Sequence, residues 1–186
     1  MFEHVFGFIT PIDLGLFRFI NGLPRFFPVD IFFLFISAIS SFGIIWVFLS
    51  LWFYGKYRNK QLLFLVILFD ILGFIIVEFI LKFSFARLRP TLYYPSTITY
   101  GPSFAEFFNS FSFPSGHAFM AFGVIPLFTF FYKRLFWPLI IFGCFVFFSR
   151  IYLGKHYPFD VFIGAILGLF VAKILLYLFV SLSNKN

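Results

Sequence analysis

The chain has 186 residues, of which 62% are hydrophobic and only 11% are charged, and its mean hydropathy is +1.02. Soluble domains are nearer half apolar and a quarter charged, so this composition indicates a membrane protein and excludes an ordinary soluble enzyme. The formal net charge is +7, but basic and aromatic residues are not interleaved as in nucleic-acid-binding surfaces, and the single cysteine, Cys144, excludes an internal disulfide.

The N-terminal segment, residues 1–27, contains one short predicted helix in the stretch TPIDLGLFRFING. Thr10 is suited to the N-cap, Pro11 to the first turn, and Gly22 to the end of the helix. About eleven helical residues rise only about 16 Å, which is too short to cross a bilayer. We therefore expect this segment to lie in the interface or to be partly inserted.

Five apolar stretches of about 20 residues predict transmembrane helices. They lie at 31–54, 62–82, 114–132, 135–153 and 158–180. The fold class is therefore all-α, a polytopic membrane helix bundle over residues 28–182 within a single membrane domain, 1–186. A kinked first span would raise the count to six. Asp70, in the middle of the second span, is expected to hydrogen-bond a neighbouring helix.

The connections are short except for residues 91–113, which are rich in Tyr, Ser, Thr, Pro and Gly and predict an outer surface loop or lid. Lys and Arg divide evenly between the two sides of the predicted topology. On the side of this loop, most of them sit at span ends around the loop and one turn, as expected for anion-binding residues. The remaining count places turns 55–61 and 133–134 in the cytoplasm and the polar cluster outside.

Three polar segments end on that same outer side. They are KFSFARLRP (82–90), FPSGHA (113–118) and SRIYLGKHYPFD (149–160). Burying so many polar groups in hydrocarbon costs several kcal/mol each unless they have partners, so we expect them to share a functional site.

Each segment has a local geometry suited to anion chemistry. Lys82 and Arg89 share a face if the helix continues between them. Ser115 is a good N-cap, and the backbone N–H groups that follow it, with the helix dipole, favour an anion beside His117. His156 and Asp160 stand one helical turn apart, so the carboxylate is expected to accept a bond from one ring nitrogen and fix the tautomer.

This inventory of cations, helix N-terminus, two histidines and one carboxylate suits phosphoryl transfer. One histidine, neutral and aligned by the carboxylate, can attack phosphorus, while the other, protonated, donates to the departing oxygen. Apart from Glu106 in the loop, no second carboxylate accompanies the cluster, so we expect no magnesium or zinc site and no cofactor.

The same residues, Lys82-x6-Arg89-Pro90, then Pro114-Ser115-Gly116-His117, then Ser149-Arg150-x5-His156-x3-Asp160, resemble the three-part signature of the type 2 phosphatidic acid phosphatase superfamily. All three parts occur in order over residues 82–160. The resemblance implies an integral-membrane lipid phosphatase that works without metal and usually has six spans. It also implies a bacterial inner-membrane protein with its active site facing the periplasm or outside.

By position, the resemblance implies that His156 is the nucleophile that forms a phosphohistidine and that Asp160 is its partner. His117 is implied as the general acid for the leaving group. The implied phosphate-binding residues are Lys82, Arg89, Ser115, Gly116 and Arg150. Further candidates, for contact with the lipid headgroup, are Arg87, Tyr93, Tyr94 and Lys155.

The expected substrate is a phosphorylated lipid, such as undecaprenyl diphosphate, phosphatidylglycerol phosphate, phosphatidic acid or the 1-phosphate of lipid A, and no obligatory protein partner is evident. Two rivals stay open: a phosphotransferase that uses a hydroxyl acceptor, and a lipid or anion transporter. At Lys82 a structural alternative exists, because Glu78 stands four residues earlier in the favourable order for a helical ion pair.

Overall fold

The computed structural model describes residues 7–93, 97–98 and 111–184. The regular secondary structure of these residues is helical, apart from one isolated bridge, Leu88 to Phe111. The α-helices are α1 (Thr10–Asn21), α2 (Phe27–Ile39), α3 (Ile44–Tyr57), α4 (Lys60–Phe74), α5 (Lys82–Phe85), α6 (Pro90–Tyr93), α7 (Gly116–Phe131), α8 (Phe136–Tyr152) and α9 (Pro158–Ser183). Short 3₁₀ turns cover Ser41–Gly43 and Lys133–Leu135, and a π-helix, Ile75–Leu81, joins α4 to α5.

Three helical stretches in the described chain are long and apolar enough to cross a membrane: Lys60–Phe85, Lys133–Tyr152 and Pro158–Ser183. They correspond to the second, fourth and fifth predicted spans. The all-helical membrane fold expected from the sequence is thereby confirmed, while the predicted number of five clear spans is not.

The first predicted span, 31–54, is broken. Helices α2 and α3 meet at an angle of 67°, and together they pass as one bent span, which would raise the count to four. The break occurs where the Ser40 hydroxyl turns back to the carbonyl of Ile36 (2.8 Å) and Gly43 adopts a left-handed φ of 70°. Serine competing for backbone bonds and a left-handed glycine both end helices, which is why a uniformly apolar stretch does not form one rod.

Asp70 packs against that break. A Cβ added to Gly43 would lie 2.6 Å from Asp70 Oδ1, so the carboxylate occupies the space that glycine leaves. Within the described part of the chain, neither of its oxygens has a hydrogen-bond partner. The predicted bond from Asp70 to a neighbouring helix is therefore not made.

Helix α7 lies at the centre of the bundle, with ten of its 16 residues buried, and makes its most extensive contact with α9. Sixteen residues rise about 24 Å, which is less than the hydrocarbon thickness. This short helix is enclosed by other helices and begins inside the bundle. Gly164 and Gly168 of α9 face the carbonyl oxygens of Ser115 and Phe119, and a Cβ at either glycine would overlap them. The start of α7 is thus seated directly on the backbone of α9.

Helix α1 packs against α8 and α9 rather than standing apart from the bundle. Its buried side chains are Asp13, Phe17 and Asn21. The ring of Phe17 packs at a tilt of 60° against that of Tyr157, next to the start of α9, with the ring centres 5.3 Å apart, and Asn21 donates to the carbonyl of Tyr152 (3.0 Å). The short N-terminal helix predicted from the sequence therefore forms, and it contacts the polar segment at 149–160.

Candidate active site

The three polar segments meet at one end of the bundle. The side chains of Lys82, Arg89, Ser115, His117, Arg150, His156 and Asp160 are all buried, with exposed fractions between 0 and 6%. Both imidazoles lie within electrostatic range of the same three cations, Lys82, Arg89 and Arg150, and the His156 ring also acts on His117. The sequence-predicted residues are thus brought into one site.

His156 is held by a main-chain acceptor. Its Nδ1 lies 2.7 Å from the carbonyl oxygen of Ser112, and its Nε2 lies 3.4 Å from Nη1 of Arg89. Because a carbonyl can only accept, Nδ1 carries the proton and Nε2 presents its lone pair. Burial, followed by the charges of Arg89, Arg150 and Lys82, lowers the pKa of His156 well below its usual range. The ring is therefore neutral near pH 7 and suited to nucleophilic attack.

The predicted hydrogen bond between His156 and Asp160 is replaced by the bond to Ser112. Oδ2 of Asp160 lies 3.7 Å from Nδ1, too far for a hydrogen bond, and instead accepts from the backbone N–H of Tyr157 (3.0 Å). The carboxylate thereby caps α9, and the Asp160 carbonyl accepts from the N–H of Ser115 (3.0 Å). Asp160 therefore stabilises the turn that carries His156 and places a carboxylate near the imidazole without a hydrogen bond to it. The i, i+4 spacing did not predict this arrangement.

Ser115 and His117 open α7. Ser115 occupies the N-cap position, yet its hydroxyl makes no capping bond and has no partner among the described residues. The backbone N–H groups of the first helical turn are left to a ligand, as an anion site requires. Nε2 of His117 lies 3.2 Å from the hydroxyl of Ser41, a contact that the sequence did not predict. A pocket beside His117 is lined by Gly73, Phe74, Val77, Glu78, Gly116 and Met120.

Lys82 forms the ion pair that the sequence left open. Its Nζ lies 2.7 Å from both carboxylate oxygens of Glu78. Helix α5 ends at Phe85, and Ala86 takes a left-handed φ of 48°, so Lys82 and Arg89 do not share one helical face. They reach the same site because the chain turns back between them.

Arg89 and Arg150 are tied to the turn that carries His156. Nη1 of Arg89 donates to the carbonyl of Lys155 (3.1 Å), and the carbonyl of Arg150 accepts from the N–H of Lys155 (3.0 Å) and of His156 (3.1 Å). Nη1 of Arg150 also donates a short hydrogen bond to the hydroxyl of Ser37. The turn therefore folds back onto Arg150, with the imidazole beside the guanidinium of Arg89 and within electrostatic range of that of Arg150.

Two candidates for headgroup contact lie elsewhere than expected. Arg87 is buried between the carboxylates of Asp13 and Asp160, and Lys155 is 3% exposed. The left-handed turn at Ala86 directs Arg87 inward, where carboxylates compensate its charge. The side chains of Tyr93 and Tyr94, the other two candidates, lie outside the described residues, as does Glu106.

Comparison with known proteins places this site in a family. The profile described as the PAP2 superfamily matches residues 61–183. Among curated proteins, the chain is 28% identical to undecaprenyl-diphosphatase BcrC of Bacillus subtilis (strain 168), over 93% of this chain and 85% of that protein. It is 26% identical to the bacitracin transport permease protein BcrC of Bacillus licheniformis, over 88% of this chain and 78% of that protein.

Two solved structures have the same fold. The crystal structure of Aquifex aeolicus LpxE has a TM-score of 0.74 and 28% identity, covering 89% of this chain and 95% of that chain. The transmembrane PAP2-type phosphatidylglycerolphosphate phosphatase from Bacillus subtilis has a TM-score of 0.67 and 20% identity, covering 95% and 87%. Since the family match spans well over half of the sequence and includes all three polar segments, the chain belongs to the PAP2 superfamily, among its membrane lipid phosphatases.

Proposed function

We propose that the chain hydrolyses a terminal phosphate or diphosphate from a membrane lipid through a phosphohistidine formed at His156. The observation that carries the proposal is the bond from Nδ1 of His156 to the Ser112 carbonyl, which leaves the Nε2 lone pair facing Arg89. A neutral imidazole with one nitrogen anchored and the other free beside a guanidinium is arranged to attack an anionic phosphorus centre.

In the proposed first step, Nε2 of His156 forms a bond to the terminal phosphorus as the bond from that phosphorus to the bridging oxygen breaks, which releases a lipid alcohol from a monoester or a lipid phosphate from a diphosphate. The negative charge of the bound phosphate favours the protonated form of His117, and the departing oxygen takes its proton from that ring. Lys82, Arg89 and Arg150, with the N–H groups at the start of α7, stabilise the charge on the phosphoryl oxygens.

In the second step, water attacks the phosphohistidine and gives its proton to His117. The electrons of the P–N bond return to Nε2 of His156, and phosphate leaves. His117 thus acts first as acid and then as base.

We propose that the reaction needs no metal ion. Each carboxylate described at the site faces a basic side chain, since Asp160 and Asp13 pair with Arg87 and Glu78 pairs with Lys82. Carboxylates that are engaged by cations in this way offer a poor ligand set for a hard divalent ion.

The substrate class is proposed from the relatives together with the form of the site. A reacting group buried at one end of a helix bundle, with an apolar pocket beside His117, is suited to a phosphate whose tail stays among the helices. The similarity to undecaprenyl-diphosphatase BcrC supports undecaprenyl diphosphate as the first lipid to test.

Purified protein in detergent is expected to release inorganic phosphate from at least one of four lipids: undecaprenyl diphosphate, phosphatidylglycerol phosphate, phosphatidic acid and lipid A 1-phosphate. The rate should be unchanged by a chelator, measured by colorimetric phosphate release. Binding of all four without release would support a transporter. A phosphorylated alcohol formed from an added lipid hydroxyl, in place of free phosphate, would support a phosphotransferase. Inhibition by the chelator would contradict metal independence.

We also propose that the site faces the outside of a bacterial inner membrane. Asn59, in the turn after α3, lies 3.3 Å from the hydroxyl of Tyr132 at the end of α7, so the basic turns 55–61 and 133–134 lie at the end of the bundle opposite His117. Basic turns of this kind favour the cytoplasmic side.

Cysteine labelling is expected to give the orientation. In a Cys144→Ser background, a membrane-impermeant maleimide added to intact cells should label Phe26→Cys and not Lys56→Cys, both of which replace exposed residues. After lysis both should react, which is the control for accessibility. Labelling of position 56 alone in intact cells would place the active site in the cytoplasm.

A further inference from the structure

Arg87 joins two carboxylates from opposite ends of the sequence. Its Nη1 lies 2.5 Å from Oδ1 of Asp160, and its Nη2 lies 2.6 Å from Oδ2 of Asp13. The three side chains are buried, and the guanidinium also lies 3.9 Å from the centre of the Tyr157 ring. A planar guanidinium with two separate N–H donors fixes both carboxylates in direction as well as distance.

The second oxygen of Asp13 reaches the same turn by another route. Oδ1 accepts a hydrogen bond from the backbone N–H of Phe159 (2.7 Å), next to Asp160 in the first turn of α9. One turn further along α1, Phe17 packs on Tyr157. Helix α1 therefore binds the segment between His156 and Asp160 with a charge, a hydrogen bond and an aromatic contact.

The charges of this bridge do not cancel. Burial raises the pKa of Asp13, and Arg87 opposes that rise. Burial acts to lower the pKa of Arg87, but the two carboxylates outweigh it and raise this pKa, so the guanidinium stays charged. With both carboxylates ionised, the two carboxylates and one guanidinium leave one net negative charge on the Asp160 side of His156.

Buried cations oppose this negative charge at the imidazole of His156. The cations that act on His156 are Lys82 from α5, Arg89 from the segment that follows α5, and Arg150 from α8. The imidazole of His117, from α7, is also within electrostatic range. The potential at the imidazole is therefore a difference between three cations and the bridge. A change in the charge of Asp13 alters the contribution of the bridge to the potential at His156, while the proposed phosphate-binding residues are unchanged.

We propose that Asp13 and Arg87 are positioning residues of this active site: α1 supplies the outer carboxylate of an Asp13–Arg87–Asp160 bridge that fixes Asp160 and sets the potential at His156. The inference rests on the proposed function, because it assigns these residues to the same reaction. It also gives the N-terminal helix, which lies outside the matched residues 61–183, a part in turnover.

Asp13→Asn keeps the size of the side chain and removes its charge. Its kcat is expected to fall about 10- to 100-fold with little change in KM, as is typical when a partner behind a reacting group is lost. The net charge of the bridge becomes zero, so the pKa of His156 falls further, and the acidic limb of the kcat/KM profile moves to lower pH. Asp13→Glu, which retains the charge, should recover part of the rate.

Asp30→Asn is the matched control. Asp30 is also a buried carboxylate near the same end of the bundle, but it accepts from the Tyr152 hydroxyl (2.5 Å) instead of from Arg87. Its neutralisation is expected to leave the position of the acidic limb unchanged. Equal losses of kcat in Asp13→Asn and Asp30→Asn, with neither limb moved, would overturn the proposal in favour of a structural role.

A second variant tests the proposal if Asp13→Asn does not fold. If Asp13→Asn does not elute as a folded protein, Arg87→Lys provides the test, because a single ammonium cannot hold both carboxylates in one fixed geometry and should lower kcat more than it raises KM. A kcat within a few fold of wild type in the folded variant would overturn the proposal. Failure of the wild-type protein to release phosphate from any of the four lipids would instead count against the proposed function.

Discussion

His156→Ala is expected to abolish phosphate release from the lipid substrate, with a loss of about a thousandfold or more, because it removes the proposed nucleophile. Binding should stay measurable, since Arg89, Arg150 and the start of α7 are untouched. The measurement is single-turnover phosphate release together with equilibrium binding of the same lipid. Activity within a few fold of wild type would remove His156 as the nucleophile.

The matched variant is His156→Gln. Glutamine can still donate to the Ser112 carbonyl, so the turn around residue 156 is preserved while the nucleophilic nitrogen is lost. It should be as inactive as His156→Ala. Brief incubation of wild-type protein with phosphate-labelled lipid, followed by quenching in alkali, should leave label on the protein, and neither variant should retain it. Label of equal amount in the variants would place the covalent intermediate elsewhere.

His117→Ala is expected to lower the rate by about 10²- to 10⁴-fold with a lipid phosphate monoester such as phosphatidic acid, whose alkoxide leaving group needs a proton. With an aryl phosphate whose leaving group is a stable phenolate, the loss should be far smaller. A plot of log kcat against leaving-group pKa should therefore be steeper for the variant than for wild type.

An equal loss for every leaving group would contradict the acid role. It would indicate instead that His117 only binds phosphate or supports the fold through its contact with Ser41. Ser41→Ala separates these cases: it removes that contact and leaves the imidazole, so the slope of the plot should remain that of wild type.

Much of this site could be predicted from the sequence because its residues stand at helix ends. Ser115 precedes a helix that begins at Gly116, and Asp160 lies in the first turn after Pro158. Such positions follow from local rules on caps and proline. Because three such ends lie on one side of the predicted topology, and buried polar groups need partners, the convergence of His117 and His156 could be predicted from the sequence.

Two contacts had no signal in the sequence. The partner of Nδ1 in His156 is a main-chain carbonyl, at Ser112, and any residue type has one. Arg87 stands two residues before Arg89, and a basic residue near a membrane surface usually extends to headgroups. Only the left-handed turn at Ala86 and the tertiary position of Asp13 make it an internal bridge.

The helix boundaries diverged from prediction where side chains compete with the backbone. At residues 40–43 serine hydroxyls and a left-handed glycine interrupt an apolar run that hydropathy treats as uniform. Helix α7 (Gly116–Phe131) keeps nearly the predicted bounds of 114–132, but at 16 residues it is shorter than the helices that are long enough to cross a membrane. Hydropathy records the cost of leaving water and carries no information about which helix becomes central.

The seating of α7 on α9 has a consequence for how the family chemistry can vary. His117 lies between Ser115 and Phe119, whose carbonyl oxygens contact Gly164 and Gly168, and His156 lies just before α9 begins. The spacing of the two imidazoles therefore depends on two helix backbones in direct contact. Side chains that line the pocket can therefore vary without changing the distance between His117 and His156. The helix backbones thus set the distance between the two imidazoles, while the side chains that line the pocket can differ.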